Sequence, residues 1–173
     1  LTGLNPSTTY YVFVFAQNRF CVNGPLYNQT NPLLGTFTTT SGILPCVVPA
    51  AQPTGLTFSN ITARGLQGNF TSVASADEYL VVRSTQASLS TLPTNTITYN
   101  LNDNLGGGVV VSIGAATSFV EDSLNPSTTY YYFVFSENSP NCSNGPVYLT
   151  SNPLTNSTTT LSLGSACLVP VSQ

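Results

Sequence analysis

The sequence predicts an all-β protein, and three observations predict it. The patterned stretches are built from Thr, Val, Tyr and Phe, the residues that pack best on a pleated surface. Each stretch is short and bounded by clusters of Asn, Pro, Gly and Ser, which are the residues of tight turns. One turn-and-strand stretch also occurs twice. Leu4 to Phe15, LNPSTTYYVFVF, returns as Leu124 to Phe135, LNPSTTYYYFVF, with one difference and an offset of 120.

Taken in order, residues 1–42 hold the first copy of this stretch, a loop containing Cys21, and a strand from Leu33 to Thr40. Two strands have no closed core and are unstable alone in water. Residues 1–42 are therefore expected to be the last two strands of a preceding repeat, completed by upstream chain or by a neighbouring chain. Pro45, Pro49 and Pro53 make residues 43–53 an extended, semi-rigid linker. Residues 54–162 then read as a complete unit. Its strands are expected at Leu56–Phe58, Gly65–Thr71 (alternating Leu66, Gly68, Phe70), Tyr79–Val82, Thr96–Leu101, Val109–Ile113 and Thr117–Val120, then the second copy of the stretch and Leu154–Leu161. A turn is expected from Asp103 to Gly108.

Residues 163–173 are expected to be the linker to a further repeat. Asn18, Cys21, Gly24, Pro25, Tyr27, Cys46, Pro49 and Gln52 match Asn138, Cys142, Gly145, Pro146, Tyr148, Cys167, Pro170 and Gln173, with an offset of 121 from the cysteine onward. The chain thus carries about one and a half units of a tandem array, and both its ends are expected to be cuts within a longer polypeptide.

Composition excludes several chemistries. Only 5% of residues are charged, with three arginines, no lysine, no histidine and a formal charge of −3. Hydrophobic residues make up 41%, enough for a core despite the low charge. Without histidine there is no Ser-His or Cys-His dyad and no imidazole metal ligand. Without lysine there is no Schiff base and no Lys-Asn cross-link. The absence of a basic patch argues against nucleic acid and anionic membranes as partners. The longest apolar run, Tyr130 to Phe135, is far too short to span a bilayer as a helix. No cofactor is expected, and no enzymatic activity.

The pattern Leu-x-Pro-x-Thr-x-Tyr ahead of an alternating strand resembles the fibronectin type III family. Leu124, Pro126, Thr128 and Tyr130 match it, as do Leu4, Pro6, Thr8 and Tyr10. The resemblance covers about residues 50–162 and implies a fibronectin type III or immunoglobulin-like β-sandwich. It also implies a tyrosine corner, in which the Tyr130 (and Tyr10) hydroxyl bonds back to the preceding turn. Tyr79 fits the family's third strand, and Phe70 is the candidate for the tryptophan that the second strand lacks. The unit is enlarged relative to the family, with its surplus between Ser84 and Ala116. Tyr-Leu-Val-Val-Arg, the Gly-rich turn and the Asn…Cys-x-Asn-Gly-Pro loop look most like repeats of large secreted or surface-anchored bacterial proteins, giant adhesins exported by the type IX pathway among them.

Four cysteines, two per unit, suggest disulfides and an oxidising compartment. Proximity in sequence favours Cys21–Cys46 and Cys142–Cys167. The family topology implies otherwise. It sets Cys142 and Cys167 at opposite ends of the last strand, about 27 Å apart, beyond the roughly 7 Å limit for bridged Cα atoms. It places Cys46 at the same pole as Cys142. The expected bridge is Cys46–Cys142, worth roughly 4 kcal/mol in the chain-entropy model, with Cys21 and Cys167 pairing with adjacent repeats. Reduced, buried thiols are the alternative.

Three further features are weighed by their surroundings. If Tyr130, Tyr132 and Val134 face the core, then Tyr131, Phe133 and Phe135 face outward, with Leu80 and Val82 beside them. They form either an aromatic surface for sugar or protein, or a face covered by the surplus residues, and cover is favoured because strands apolar on both faces are normally buried on both. Asp103 with its flanking asparagines is expected to be an Asx turn rather than a calcium site. Asp77-Glu78 and Glu121-Asp122 are expected to be solvated loop charges, not a glycosidase pair. Asp122-Ser123-Leu124 resembles a bacterial O-glycosylation signal at Ser123. The function expected is a spacer repeat of an extracellular, cell-surface fibre whose partners are neighbouring repeats. The alternatives are a module binding surface glycan or protein, or an accessory domain of a secreted enzyme.

Overall fold

The computed structural model describes residues 2–40 and 42–164. The chain divides between Leu44 and Pro45 into two units.

The first unit contains β1 (Thr9–Val14), β2 (Gln17–Asn18), β3 (Leu26–Tyr27) and β4 (Leu33–Thr38). β1 pairs antiparallel with β4, from Thr9 opposite Thr38 to Val14 opposite Leu33, and β2 pairs with β3. Tyr10 stacks on Phe37 with centroids 5.8 Å apart. Both faces of this ribbon are otherwise bare: Tyr11, Phe13 and Phe15 are exposed on one, Val12 and Val14 on the other.

The second unit contains β5 (Thr54–Ser59), β6 (Leu66–Thr71), β7 (Glu78–Ser84), β8 (Asn104–Leu105), β9 (Gly108–Gly114), β10 (Ser118–Glu121), β11 (Thr129–Asn138), β12 (Val147–Tyr148) and β13 (Leu154–Thr159). One sheet has the order β10-β6-β5. The other runs β8-β9-β7-β11, and both β12 and β13 pair with the far edge of β11 at different heights. The chain changes sheet between β6 and β7, between β9 and β10 and again between β10 and β11, so the two sheets are interlocked through their connections.

Alternation on each strand sends every second side chain into the space between the sheets. Leu56, Leu66, Phe70, Tyr79, Val81, Phe119, Tyr130, Tyr132 and Val134 meet there with Leu124. Phe70 sits edge-on to Tyr79 with centroids 5.0 Å apart. Phe58 and Phe119 both pack against Tyr132, with centroids 5.0 and 5.2 Å away. Gly68 of β6 has no side chain because the Phe119 ring lies over it; an added Cβ would fall 2.2 Å from that ring.

The remaining side chains of β7 and β11 build a second core on the outer face of the larger sheet. Leu80, Val82, Phe133 and Phe135 are buried there with Leu105, Val110 and Tyr148. Their cover comes from residues 85–107, whose Leu89 and Tyr99 pack against the cluster. This cover is pinned at several points. Ser90 N donates to Gly106 O at 2.9 Å, Thr96 N to Pro146 O at 2.7 Å, and Tyr148 N to Asn95 Oδ1 at 2.9 Å. The face of Tyr131, Phe133 and Phe135 is therefore covered: the two phenylalanines are buried and only Tyr131 is partly open.

The strand expected at Thr96–Leu101 is absent. Only Tyr99 of this stretch packs onto the sheet face, while Thr96, Ile97, Thr98 and Leu101 are exposed. Ile97 N bonds to Thr94 O, and Thr96 takes a φ of 66°. The edge beside β7 is already occupied by β9, which folds back through Gly106 and Gly107 to pair with β8. Both glycines have positive φ, 59° and 82°, as a two-residue hairpin turn requires.

Burial separates the two copies of one motif. Phe135→Ala is expected to cost about 3–5 kcal/mol, whereas Phe15→Ala should change stability by less than about 0.5 kcal/mol. Urea-unfolding curves measure both, and similar shifts for the two variants would contradict the second core. Gly68→Ala should cost roughly 1–3 kcal/mol by overpacking against Phe119.

Candidate functional site

The tyrosine corner assembles from the turn before β11. Ser127 adopts a φ of 49°, which reverses the chain and brings Asn125 N within 2.9 Å of the Tyr130 hydroxyl, to which it donates. Thr128 Oγ1 donates to Pro126 O at 2.9 Å, and Thr160 Oγ1 donates to Asn125 O at 2.7 Å, tying the turn to the end of β13. Leu124 is buried beneath it. The first unit repeats the arrangement bond for bond: Asn5 N to the Tyr10 hydroxyl at 2.8 Å, Thr8 Oγ1 to Pro6 O at 2.9 Å, Thr39 Oγ1 to Asn5 O at 2.6 Å. There Leu4 is only partly covered and Pro6 is exposed.

Cys46 and Cys142 are joined, with Cα atoms 4.8 Å apart and 96 residues of separation. The bridge is one of a line of contacts that lay the segment before β5 along the pole of the sandwich. Cys46 N donates to Ser143 O at 2.8 Å. Asn138 Nδ2 donates to Val47 O at 2.8 Å and Ser136 Oγ to Ala51 O at 2.9 Å. The Gln52 side chain closes the line. Its Nε2 donates to Leu149 O at 2.6 Å, and its Oε1 accepts from Ser136 N at 2.9 Å. A Cβ at Gly145 would lie 2.6 Å from Cys46 Sγ, so this glycine makes room for the bridge. Cys21 is exposed and unbridged among the described residues, and Cys167 lies outside them.

The charged residues are used structurally, and one expectation fails here. Glu121 is not a solvated loop charge. Its carboxylate pairs with Arg83 and accepts from the Tyr132 hydroxyl at 2.6 Å, and its side chain is almost wholly covered. Burial raises the Glu121 pKa, while Tyr132 and Arg83 offset part of that rise. The Arg83 guanidinium also lies over the Tyr130 ring, 5.3 Å from its centroid. These side chains come from β7, β10 and β11. Sequence reasoning missed the cluster because Glu121 lies 38 residues from Arg83 and 11 from Tyr132.

A second group spans β7, β11 and β12, where Glu137 stands opposite Glu78 on one side and Tyr148 on the other. Glu137 is buried, and its Oε2 has no hydrogen-bond partner. Burial, with the Glu78 carboxylate adding to it, raises the Glu137 pKa to about 7, and the Tyr148 hydroxyl offsets part of this. Asp103 is the turn residue expected, its Oδ2 accepting from Asn100 N at 2.7 Å. No cluster of three or more His, Cys, Asp or Glu suited to a metal occurs among the described residues. Ser123 is exposed, its hydroxyl donating to Asp122 Oδ1 at 3.0 Å.

Interlocked antiparallel sheets, a tyrosine corner at the start of β11 and a core between the sheets define a β-sandwich of the fibronectin type III and immunoglobulin kind. No family model matches the chain, and no curated protein does. Among solved structures it is similar to a computationally redesigned β-sandwich protein (19% identity over 65% of this chain and 97% of that one, TM-score 0.44). It is also similar to domains d3–d4 of the rat CD45 extracellular region (18%, 92% and 67%, TM-score 0.43) and to a fibronectin type III domain of human collagen XX (21%, 67% and 97%, TM-score 0.40).

Removing the bridge as Cys46→Ser with Cys142→Ser should lower stability by about 2–4 kcal/mol, read from the urea midpoint of oxidised protein. The Glu137 pKa is raised in the fold, so its contribution is complete below about 4.5 and is lost as pH rises through about 7. Stability should therefore fall between pH 5 and pH 8. Glu137→Gln should flatten most of that slope, leaving a smaller decline of the same sign from Glu121. A wild-type profile that is flat or rising over this range would refute the assignment.

Proposed function

We propose that the chain is a non-catalytic, extracellular spacer: repeats of one sandwich joined through linkers that are stapled to the sandwich they precede. The observation that carries this reading is the line of contacts from Cys46 to Gln52, which occupies the pole of the second unit with backbone and amide bonds and one covalent bridge. The disulfide supports an oxidising compartment. Arg83, Glu121, Asp103 and Tyr148 are all engaged with partners inside the fold, which supports a structural role over a chemical one. Residues 1–42 are read as the end of a preceding repeat, and 54–162 as one whole repeat in a tandem array. A giant adhesin or a similar surface fibre of a bacterium is the finer reading, supported by the sequence resemblance alone.

Single-molecule extension tests this. With the bridge intact, the residues between Cys46 and Cys142 cannot extend under load. Reduction should lengthen the unfolding step of the second unit by about 330 Å, at roughly 3.4 Å for each of the 96 residues released. An oxidised protein that releases the full length would remove the staple from the account. Saturable binding of an isolated second unit to a glycan or surface protein would favour the binding-module reading.

A further inference from the structure

The first unit repeats the loop that in the second unit holds the Cys46–Gln52 segment. The two loops share their framework. Gln17 and Asn18 pair with Tyr27 and Leu26, as Glu137 and Asn138 pair with Tyr148 and Val147. Asn23 and Asn144 take the same left-handed turn, with φ of 68° and 61°. Asn28 N donates to Ala16 O at 2.8 Å where Leu149 N donates to Ser136 O at 2.9 Å. Each cysteine sulfur lies near the start of its own loop, Cys21 Sγ 3.6 Å from Asn18 O and the bridged Cys142 Sγ 3.9 Å from Ser139 O.

What the second loop holds is visible: Cys46-Val47-Val48-Pro49-Ala50-Ala51-Gln52. The chain contains that segment once more, as Cys167-Leu168-Val169-Pro170-Val171-Ser172-Gln173, outside the described residues. Cysteine, the second valine, proline and glutamine stand in the same register. Several of the groups that hold the segment in the second unit have counterparts in the first. Asn18 corresponds to Asn138, the donor to the Val47 carbonyl. Ala16 N corresponds to Ser136 N, the Asn28 carbonyl to that of Leu149 and the Thr30 carbonyl to that of Ser151, the three partners of the Gln52 amide. Two of the holding groups have no counterpart: the Ser136 hydroxyl, which reaches Ala51 O, since residue 16 is alanine, and Ser75 Oγ, which accepts from Ala50 N at 3.1 Å.

We infer that the loop around Cys21 is a docking site for residues 167–173 of a second copy of this chain, closed by an intermolecular Cys21–Cys167 disulfide that links copies end to end. The inference deepens the spacer reading, on which it rests for an oxidising compartment. The covalent step is thiol–disulfide exchange with a small-molecule disulfide such as oxidised glutathione. One thiolate attacks it and releases one glutathione thiol; the second thiolate then attacks the mixed disulfide and releases the other. Two protein thiols are oxidised and one disulfide is reduced.

The test uses the full 173-residue chain, as an equal mixture of unlabelled and isotopically labelled protein, reduced and then oxidised in a glutathione buffer. Expected are ladders on non-reducing gels and a Cys21–Cys167 peptide pair of mixed isotope composition by mass spectrometry. Cys21→Ser and Cys167→Ser should each abolish the ladder. Asn18→Ala should slow linkage by about three- to tenfold, the worth of one hydrogen bond, without changing the reaction of Cys21 with a small thiol reagent. Pairs that join Cys21 to Cys21, pairs confined to one chain, or linkage indifferent to Asn18→Ala would each overturn the docking site. If the extension difference on reduction persists meanwhile, the spacer reading stands without this link.

Discussion

Two neighbouring strands that are apolar on both faces set the terms for the rest of the second unit. β7 and β11 send Tyr79, Val81, Tyr130, Tyr132 and Val134 one way and Leu80, Val82, Phe133 and Phe135 the other. A sheet of this kind cannot leave either face in water, because several large side chains would stay exposed at about 1.5–3 kcal/mol each. One face is met by the β10-β6-β5 sheet. The other demands a third layer, and the long excursion between β7 and β9 supplies it. The size of the unit thus follows from its second core.

That third layer also connects the core to the pole. Thr96 and Asn95 reach the Pro146 and Tyr148 backbone, and the Tyr148 hydroxyl returns to Ile97 O. The same loop carries Cys142, and through it the segment from Cys46 to Gln52. Cover, loop and linker therefore support one another. In such an arrangement a polar group left inside is costly, and the few charges are matched accordingly: Glu121 has Arg83 and Tyr132, and Glu137 is held toward its neutral form.

Much of this was legible in the residues. The Asn-Pro-Ser-Thr turn, the alternation of Leu66, Gly68 and Phe70, and the surplus after Ser84 pointed to the corner, the second strand and the cover. The stretch Thr96–Leu101 was not legible, because β-branched residues read as a strand whether or not a sheet edge is free to pair with them. The Arg83–Glu121–Tyr132 cluster was hidden for a different reason. Its members sit on three strands from both sheets, and nothing in their sequence spacing brings them together.

The duplicated motif shows where local information ends. Its two copies make the same short-range hydrogen bonds in turn and corner, Asn5 to Tyr10 and Asn125 to Tyr130, and the sequence alone determines that geometry because these partners lie five residues apart. Whether the strand that follows is buried is another matter. Phe15 is 44% exposed and Phe135 is wholly buried, although both end the same twelve-residue stretch. Backbone turns and short-range hydrogen bonds are satisfied by neighbours in sequence, whereas burial depends on what the rest of the chain lays over the strand. Only the tertiary structure decided that.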